Sequence, residues 1–417
     1  MHIKTILNNC YKFKSFVYRS AYFAEHEGKQ AIHIEIRPRK NSRGICSGCQ
    51  RPSPGYDRLE ERKFEFIPVW GFLVFFIYRM RRVACPACGI KVEDVPWADG
   101  KHQQTKISMQ FLAHWAKKLS WKEVAESFQT SWPKVFYAVR YIVQWGLSHR
   151  DLSGITALGI DEIHWHRGYE FLTVVYQINA GCIRLLWVGK DRKAKTLLRF
   201  FRFFGKERSR LLEFVCSDMW KSYLKVVARK ASAAVHILDR FHLVSRINKA
   251  IDEVRAEEHR KLKKAGHEEV LKRSRWCLLK RKENLTDQQE VKLKELVGYN
   301  LKSVRAYLLK EDFQGLWEYV RPCWAGKFID RWCTRVMRSR IEPLKREVRT
   351  IRTHKELILN WFRAKKAFSN GVVEGLNNKA KVTIRKSYGF KSFRCIEIAL
   401  YHVLGKLPEP KLTHRFY

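Results

Sequence analysis

Three carboxylates sit in short strings that are the first places in this chain where chemistry could be done. They are Asp161 in Gly159-Ile160-Asp161-Glu162, Asp218 in Cys216-Ser217-Asp218-Met219-Trp220, and Glu374 in Val373-Glu374-Gly375-Leu376-Asn377-Asn378. Each lies beside what reads as the edge of a regular element. An Asp at a strand end ordinarily caps a turn or faces water, so no one of the three is informative by itself. Together, in a strongly basic chain, they are candidate ligands for divalent metal. Carboxylate-held metal is the usual means of cutting or joining a phosphate backbone. Three such groups can hold two Mg2+ (or Mn2+) ions about 4 Å apart, one to activate water or a 3′-hydroxyl and one to stabilise the departing oxygen.

The elements around them must bring them together. Residues 156–163 read as an apolar strand closed by Asp161, and 213–217 as one closed by Asp218. Residues 169–178, 183–188 and 235–238 read as three more strands. The short turn-like stretches at 166–168 and 179–181 imply that the first three pair antiparallel. Helices are predicted over 194–204 and 221–230, which makes a mixed α/β layer. If the strands ending at Asp161 and Asp218 adjoin, both carboxylates meet at one sheet end. Glu374 falls on a helix predicted to start at Ser369 or Asn370. At 100° per residue Asn378, Lys381 and Arg385 share its face as candidate phosphate contacts, while Val373, Leu376, Ala380 and Ile384 form an apolar face that can pack on the sheet. From Phe241 onward strand patterns almost vanish. The chain there is charged and helical, with breaks near 284–287 and at Pro322 and Pro343.

The N-terminal part reads differently. Residues 1–100 read as short strands and turns, with Cys46-Ser-Gly-Cys49 and Cys85-Pro-Ala-Cys88 as two tight turns. Four thiolates from two such turns can surround one Zn2+ tetrahedrally, and a four-Cys shell leaves no open position for catalysis. The zinc is therefore expected to be structural; the alternative is four ordinary buried thiols. Residues 101–150 switch to helical period. Ser120-Trp-Lys-Glu123 fits a capping box, and after a break at 129–131 the run Ser131-Trp132-Pro133 reads as a second helix start. Two short helices joined this way fit a helix-turn-helix with the second helix as groove reader. Lys134, Tyr137 and Arg140 would be its exposed contacts. A plain helical hairpin inside a core is the other reading.

Composition agrees with a nucleic-acid partner. The chain has 417 residues with 82 Lys plus Arg against 41 Asp plus Glu, a formal net charge of +41. The excess is spread along the chain, which suits contact with a polyanion over a long track better than a local basic anchor. Solubility alone needs far less charge. With 14 Trp and 25 Phe the chain is not generally disordered. The most apolar run, 67–78, is too short for the ~20 residues of a membrane span and reads as a buried strand pair. No membrane partner is expected. The N-terminus lacks the small-residue cleavage site of a secretory signal. The 11 cysteines, an odd number with two CxxC pairs, favour a reducing cytoplasm.

The strings GIDE, SDMWKSY, LDRFH and VEGLNNKAKVTIRKSYGF resemble those of bacterial insertion-sequence transposases of the DDE class, in the group known as ISL-three. The resemblance runs nearly end to end. It implies a multidomain α+β and α/β chain: a zinc ribbon (1–100), a helix-turn-helix (101–150), a ribonuclease H-like mixed-sheet catalytic core (154–240 and 369–417), and an all-α insertion (241–368) interrupting that core. It implies Asp161, Asp218 and Glu374 as catalytic triad and Mg2+ ligands. Asp239 and His242 of LDRFH become auxiliary, with Asp239 an alternative ligand, and Glu162 is a second alternative to Asp161. The implied activity is binding of terminal inverted repeats, Mg2+-dependent cleavage and strand transfer. The partners would be double-stranded DNA (element ends and target) and further copies of the chain, since two ends must be handled together. The setting would be the bacterial cytoplasm, at the nucleoid. A nuclease or resolvase without strand transfer, and a non-catalytic DNA-binding regulator, are the competing readings.

Overall fold

The structure is a computed structural model that describes residues 2–166, 170–179, 181–266, 270–299, 301–366 and 371–411. The expected turn at 166–168, Ala180 in the second turn, and the helix start at Ser369 or Asn370 fall wholly or partly outside the described residues. The chain forms two compact units: Met1–Asp151 together with Lys379–Tyr417, and Leu152–Asn378.

The first unit opens with α1 (Ile3–Cys10) and a seven-stranded sheet. Its strands are β1 (Phe16–His26), β2 (Lys29–Pro38), β3 (Gly44–Cys46), β4 (Pro52–Ser53), β5 (Gly55–Glu65), β6 (Leu73–Cys85) and β7 (Gly89–Asp94). They lie in the order β1-β2-β6-β7-β3-β4, with β5 also pairing β6. Several strands are long rather than short: β6 spans 13 residues and β5 spans 11. The apolar run 67–78 is one strand and its entry, not a strand pair. Trp70 (φ 53°) and Gly71 (φ 82°) make a left-handed turn bridged by Val69 and Phe72, and β6 starts directly after it. Phe16, Phe64, Phe66, Phe76, Tyr78 and Trp97 fill the core beneath. Three helices follow, α2 (Lys106–Lys118), α3 (Trp121–Ser127) and α4 (Trp132–His149). The Ser120/Glu123 capping box is formed in both directions, and Gln129 at φ 50° ends the short helix.

The second unit is built on five strands, β8 (Ala157–His166), β9 (Glu170–Asn179), β10 (Cys182–Lys190), β11 (Phe214–Ser217) and β12 (Val235–Leu238). Their order is β10-β9-β8-β11-β12. The first three are antiparallel, whereas β11 runs parallel to both β8 and β12. Helices α5 (Ala194–Phe204), α6 (Lys206–Arg210) and α7 (Lys221–Lys230) lie along this part of the chain. Phe200, Phe201 and Phe204 from α5 and Tyr223, Val226 and Val227 from α7 pack with Leu158, Ile160, Val175 and Val215 of the sheet. Each such fully buried side chain contributes on the order of 1.5–3 kcal/mol, and together they make the platform rigid.

Past β12 the described residues up to Arg363 are helical or irregular. They include α8 (Arg240–Lys264), α9 (Arg275–Leu279), α10 (Asp287–Val297), α11 (Lys302–Gln314), α12 (Pro322–Arg338), α13 (Glu342–Thr353) and α14 (Lys355–Arg363). Pro322 and Pro343 sit in the first turns of α12 and α13, so they start helices instead of interrupting them. Two helices remain, α15 (Gly371–Lys386) and α16 (Phe393–Leu404). Among the described residues no helix is long and apolar enough to cross a membrane.

Candidate active site

The register of three parallel strands builds the site. Ile160 of β8 lies opposite Ser217 of β11, and Ser217 lies opposite Leu238 of β12. One residue further on, Asp161, Asp218 and Asp239 therefore stand in a row across adjacent strands. The Asp239 amide donates to the Ser217 carbonyl at 2.9 Å and carries the register past the end of β12. Asp161 does not close its strand, because β8 continues to His166 through its pairing with β9. It marks the point where the parallel partner β11 stops, and so where β8 is first open on that side.

Local turns fix each carboxylate. Asp218 Oδ1 accepts from the Trp220 amide at 3.0 Å. Asp239 accepts from the Phe241 amide at 2.7 Å and caps the N-terminus of α8. One helical turn on, His242 Nε2 lies 3.5 Å from Asp239 Oδ2 and 4.0 Å from Asp161 Oδ1. Asp161 accepts twice, from the Glu162 amide (2.7 Å) and from Asn377 Nδ2 (2.6 Å). Burial holds the carboxyls of Asp161 and Asp218 above the usual carboxylate range, against the pull of those backbone amides and of His242. Glu162 is raised by burial and then by the charge of Asp218.

Glu374 lies exposed on α15, and the same helix is seated on β8. Gly159 makes that possible: a Cβ built there would stand 2.6 Å from Val373 Cγ2. Asn377, buried one turn after Glu374, donates to Asp161 and accepts from the Tyr176 hydroxyl at 2.8 Å. The predicted faces of the helix are realised. Val373, Leu376 and Ala380 are buried and Ile384 is half-buried, while Asn378, Lys381 and Arg385 are exposed with Glu374. Among the described residues, the only group of three or more potential metal ligands with atoms all within 4.8 Å of one another is a set of cysteines. Asp161, Asp218 and Glu374 do not form such a group. The chemistry of Asp161 and Asp218 still suits a cation: hard oxygen donors, desolvated by burial, with Glu162 Oε2 buried and lacking a hydrogen-bond partner.

Two residues at this site are absent from the sequence reading. Arg192, just after β10, places Nη1 3.3 Å from Glu162 Oε1 and its guanidinium over the rings of Phe171 (4.1 Å) and Trp220 (4.7 Å). Nothing local marks Asp191-Arg192 as more than a loop pair. The Trp of SDMWKSY was the available signal, since it supplies one of the rings. Asn377 stood in the quoted string GLNN, but its partner Asp161 lies across the fold.

The other predicted residues are placed as follows. The Sγ atoms of Cys46, Cys49, Cys85 and Cys88 lie within 4.8 Å of one another, with Cys49 and Cys85 3.4 Å apart. Zn–S bonds of about 2.3 Å require tetrahedral S···S spacings of roughly 3.8 Å, so the four thiols fit one Zn2+. A Cβ at Gly48 would meet Cys88 Sγ at 3.1 Å, which explains Gly in the first turn. On α4, Tyr137 is exposed, whereas Arg140, also expected to be an exposed contact, is half-buried with its Nε buried and lacking a hydrogen-bond partner. Lys134 differs from the expectation of an exposed contact: it is half-buried, with Nζ 2.6 Å from the buried carboxylate of Glu65. An unpaired Glu65 there would be costly, and Lys134 neutralises it.

Comparison with known proteins gives a consistent picture. A family model described as transposase, of the ISL-three group, matches residues 158–400. The transposase for insertion sequence element IS1001 of Bordetella parapertussis is 27% identical over 351 residues, covering 83% of this chain and 85% of that protein. The transposase for insertion sequence element IS1557 of Mycobacterium tuberculosis (strain CDC 1551 / Oshkosh) is 28% identical over 425 residues, covering 95% of this chain and 94% of that protein.

Proposed function

Since the chain belongs to the ISL-three group of DDE transposases, we propose that it binds the terminal inverted repeats of its own insertion sequence and cuts and joins DNA at the Asp161–Asp218–Glu374 site. The carrying observation is the register that sets Asp161 beside Asp218, with the helix bearing Glu374 seated on Gly159 two residues before Asp161. The strand order, a three-stranded antiparallel meander extended by two parallel strands, supports a ribonuclease H-like core (154–240 and 369–417). The helices of 241–368 would then be an insertion within it. The four-Cys cluster supports a structural Zn2+ in an N-terminal ribbon (1–100), and the capped pair α3 and α4 supports a helix-turn-helix (101–150) that reads the element end.

Asp161, Asp218 and Glu374 would hold the divalent ions, with Glu162 and Asp239 within the same patch as alternative ligands. When bound, Mg2+ supplies nucleophile activation and leaving-group stabilisation for phosphoryl transfer. The side chains do the rest. Asn377 holds Asp161 in one rotamer. Glu162 and the two aromatic rings fix Arg192, whose remaining N–H groups can meet a non-bridging phosphate oxygen. Asn378, Lys381 and Arg385 extend from Glu374 as a track for the backbone.

The test is a strand-transfer assay with purified protein, Mg2+, a labelled element end and a target plasmid. Joined product is expected from the wild type. Asp161→Asn, Asp218→Asn and Glu374→Gln should each lose cleavage by at least about a thousandfold and keep end binding. Cleavage without joined product would leave a nuclease or resolvase, and activity in any of the three variants would displace that residue from the site.

A further inference from the structure

The first compact unit holds a cavity of about 820 Å3 that no step of the proposed reaction uses. Trp121, Trp132, Tyr388 and Phe390 line it, with Lys122 and Lys391 among the residues around them. Trp121 is buried and forms the floor. Its ring centroid lies 5.7 Å from that of Trp132, inclined 57°, and 5.8 Å from that of Phe390, inclined 65°. Trp132 stacks on Phe136 with one face (5.5 Å, 3°) and is 42% exposed, which leaves ring surface turned to the cavity.

Tyr388 stands at the rim of the same cavity. It follows the C-terminus of α15, where the amides of Tyr388 and Gly389 close the helix onto the carbonyls of Arg385 and Ile384. Its φ is +53°, a conformation that favours glycine and is strained for a bulky side chain. Its relative exposure is 100%. A strained tyrosine that packs on nothing in the folded chain does not contribute to the core. Strain of this kind concentrates where a ligand is gripped.

We propose that this cavity receives one unstacked nucleobase of DNA, sandwiched between Tyr388 and Trp132, with the adjoining phosphates toward Lys122 and Lys391. Aromatic faces take any base by stacking, and lysines at the rim suit the backbone charge on either side. Of the acidic groups nearby, Glu123 accepts from the Ser120 amide in the capping box, and Glu126 faces Lys122 at 3.6 Å in an exposed pair that an incoming phosphate can displace. The volume falls within the range of small-molecule sites. Trp132 begins α4, so the base would be taken beside the helix read as the groove reader. The inference rests on DNA being the partner, and is independent of whether strand transfer is the reaction.

The experiment uses the full chain without Mg2+ and a 12-nucleotide single strand carrying 5-iododeoxyuridine, unrelated to any element end, beside a duplex of the same sequence. Fluorescence anisotropy should show Tyr388→Ala and Trp132→Ala weakening single-strand binding by about tenfold each, with duplex binding changed less. Tyr388→Phe should stay within about twofold of wild type, because the ring and not the hydroxyl is used. Irradiation should crosslink the iodobase to the peptide bearing Tyr388 or Trp132. Since Tyr388 is fully exposed, its variants keep the wild-type melting temperature. Unchanged single-strand affinity in Tyr388→Ala, or crosslinks that map away from both peptides, overturns the proposal. A chain that passes these tests but cuts no element end would leave the pocket standing and remove the reaction.

Discussion

Asp161 is held by a neighbour in sequence and by a residue far from it. Two donors converge on it, yet burial keeps its carboxyl above the usual range. Asp218 and Glu162 are raised for the same first reason. A carboxyl whose folded pKa lies above its unfolded value favours the fold while protonated, and that contribution is lost as pH rises through the folded value. The metal-free site is therefore more strained at neutral than at mildly acid pH, and a bound cation should relieve it. Mg2+ is expected to raise the melting temperature at pH 7.5 and to do little at pH 5. Asp161→Asn should raise the metal-free melting temperature by a few degrees at pH 7.5, about 1 kcal/mol, and remove most of the Mg2+ response. Differential scanning fluorimetry reads both, and an unchanged Mg2+ shift in the variant would put the ions elsewhere. Arg192 differs in kind, because its proposed target is a phosphate oxygen rather than a metal ion. Arg192→Gln should slow single-turnover cleavage by roughly tenfold to a hundredfold, with end binding within a few-fold. Equal losses in binding and rate would make it a structural partner of Glu162 only.

At the scale of elements the decisive fit is α15 on β8. Val373 stands where a Cβ on residue 159 would go. Gly159→Ala should cost about 1–3 kcal/mol through overpacking, and should lower cleavage because the helix carrying Glu374 is pushed off the sheet. Val373→Ala in the same chain should restore part of both, and a double-mutant cycle in denaturant measures the coupling. Additive effects would mean that the two do not meet. The elements themselves were largely legible: helices 194–204 and 221–230 and strand 235–238 match residue for residue, because hydrophobic period is a local signal. Strand 156–163 was read too short, since the extension to His166 depends on β9. The partners of Asp161 were illegible for the same reason. Asn377 is far off in sequence, and the packing of α15 on β8 at Gly159, which no local pattern encodes, brings it close. Lys134 was misjudged as exposed because Glu65, from a strand of the preceding segment, covers it.

At the scale of the whole molecule, the zinc cluster and the acidic row belong to different compact units. Their failures should therefore separate. About one zinc per chain is expected by elemental analysis. Cys46→Ser, or removal of zinc by a chelator, should loosen the first unit and weaken DNA binding. The Mg2+-dependent melting shift of the second unit should persist. A variant that loses both together would show that the metal sites are coupled. The positive charge, +41 in formal terms, is shared by both units and gives each its own hold on a polyanion.

The seating of α15 also sets a clock on synthesis. Asp161, Asp218, Asp239 and His242 are all made, and the strands that align them can pair, well before Val373 and Asn377 leave the ribosome. Elongation at roughly 5–20 residues per second puts that interval on the order of ten seconds. Throughout it the slot at Gly159 stays empty and Asp161 lacks its Asn377 donor. A nascent or prematurely stopped chain would thus carry the basic charge but not the finished form of the proposed site. The proposed cutting centre would therefore be completed only once α15 has followed every strand of its sheet off the ribosome.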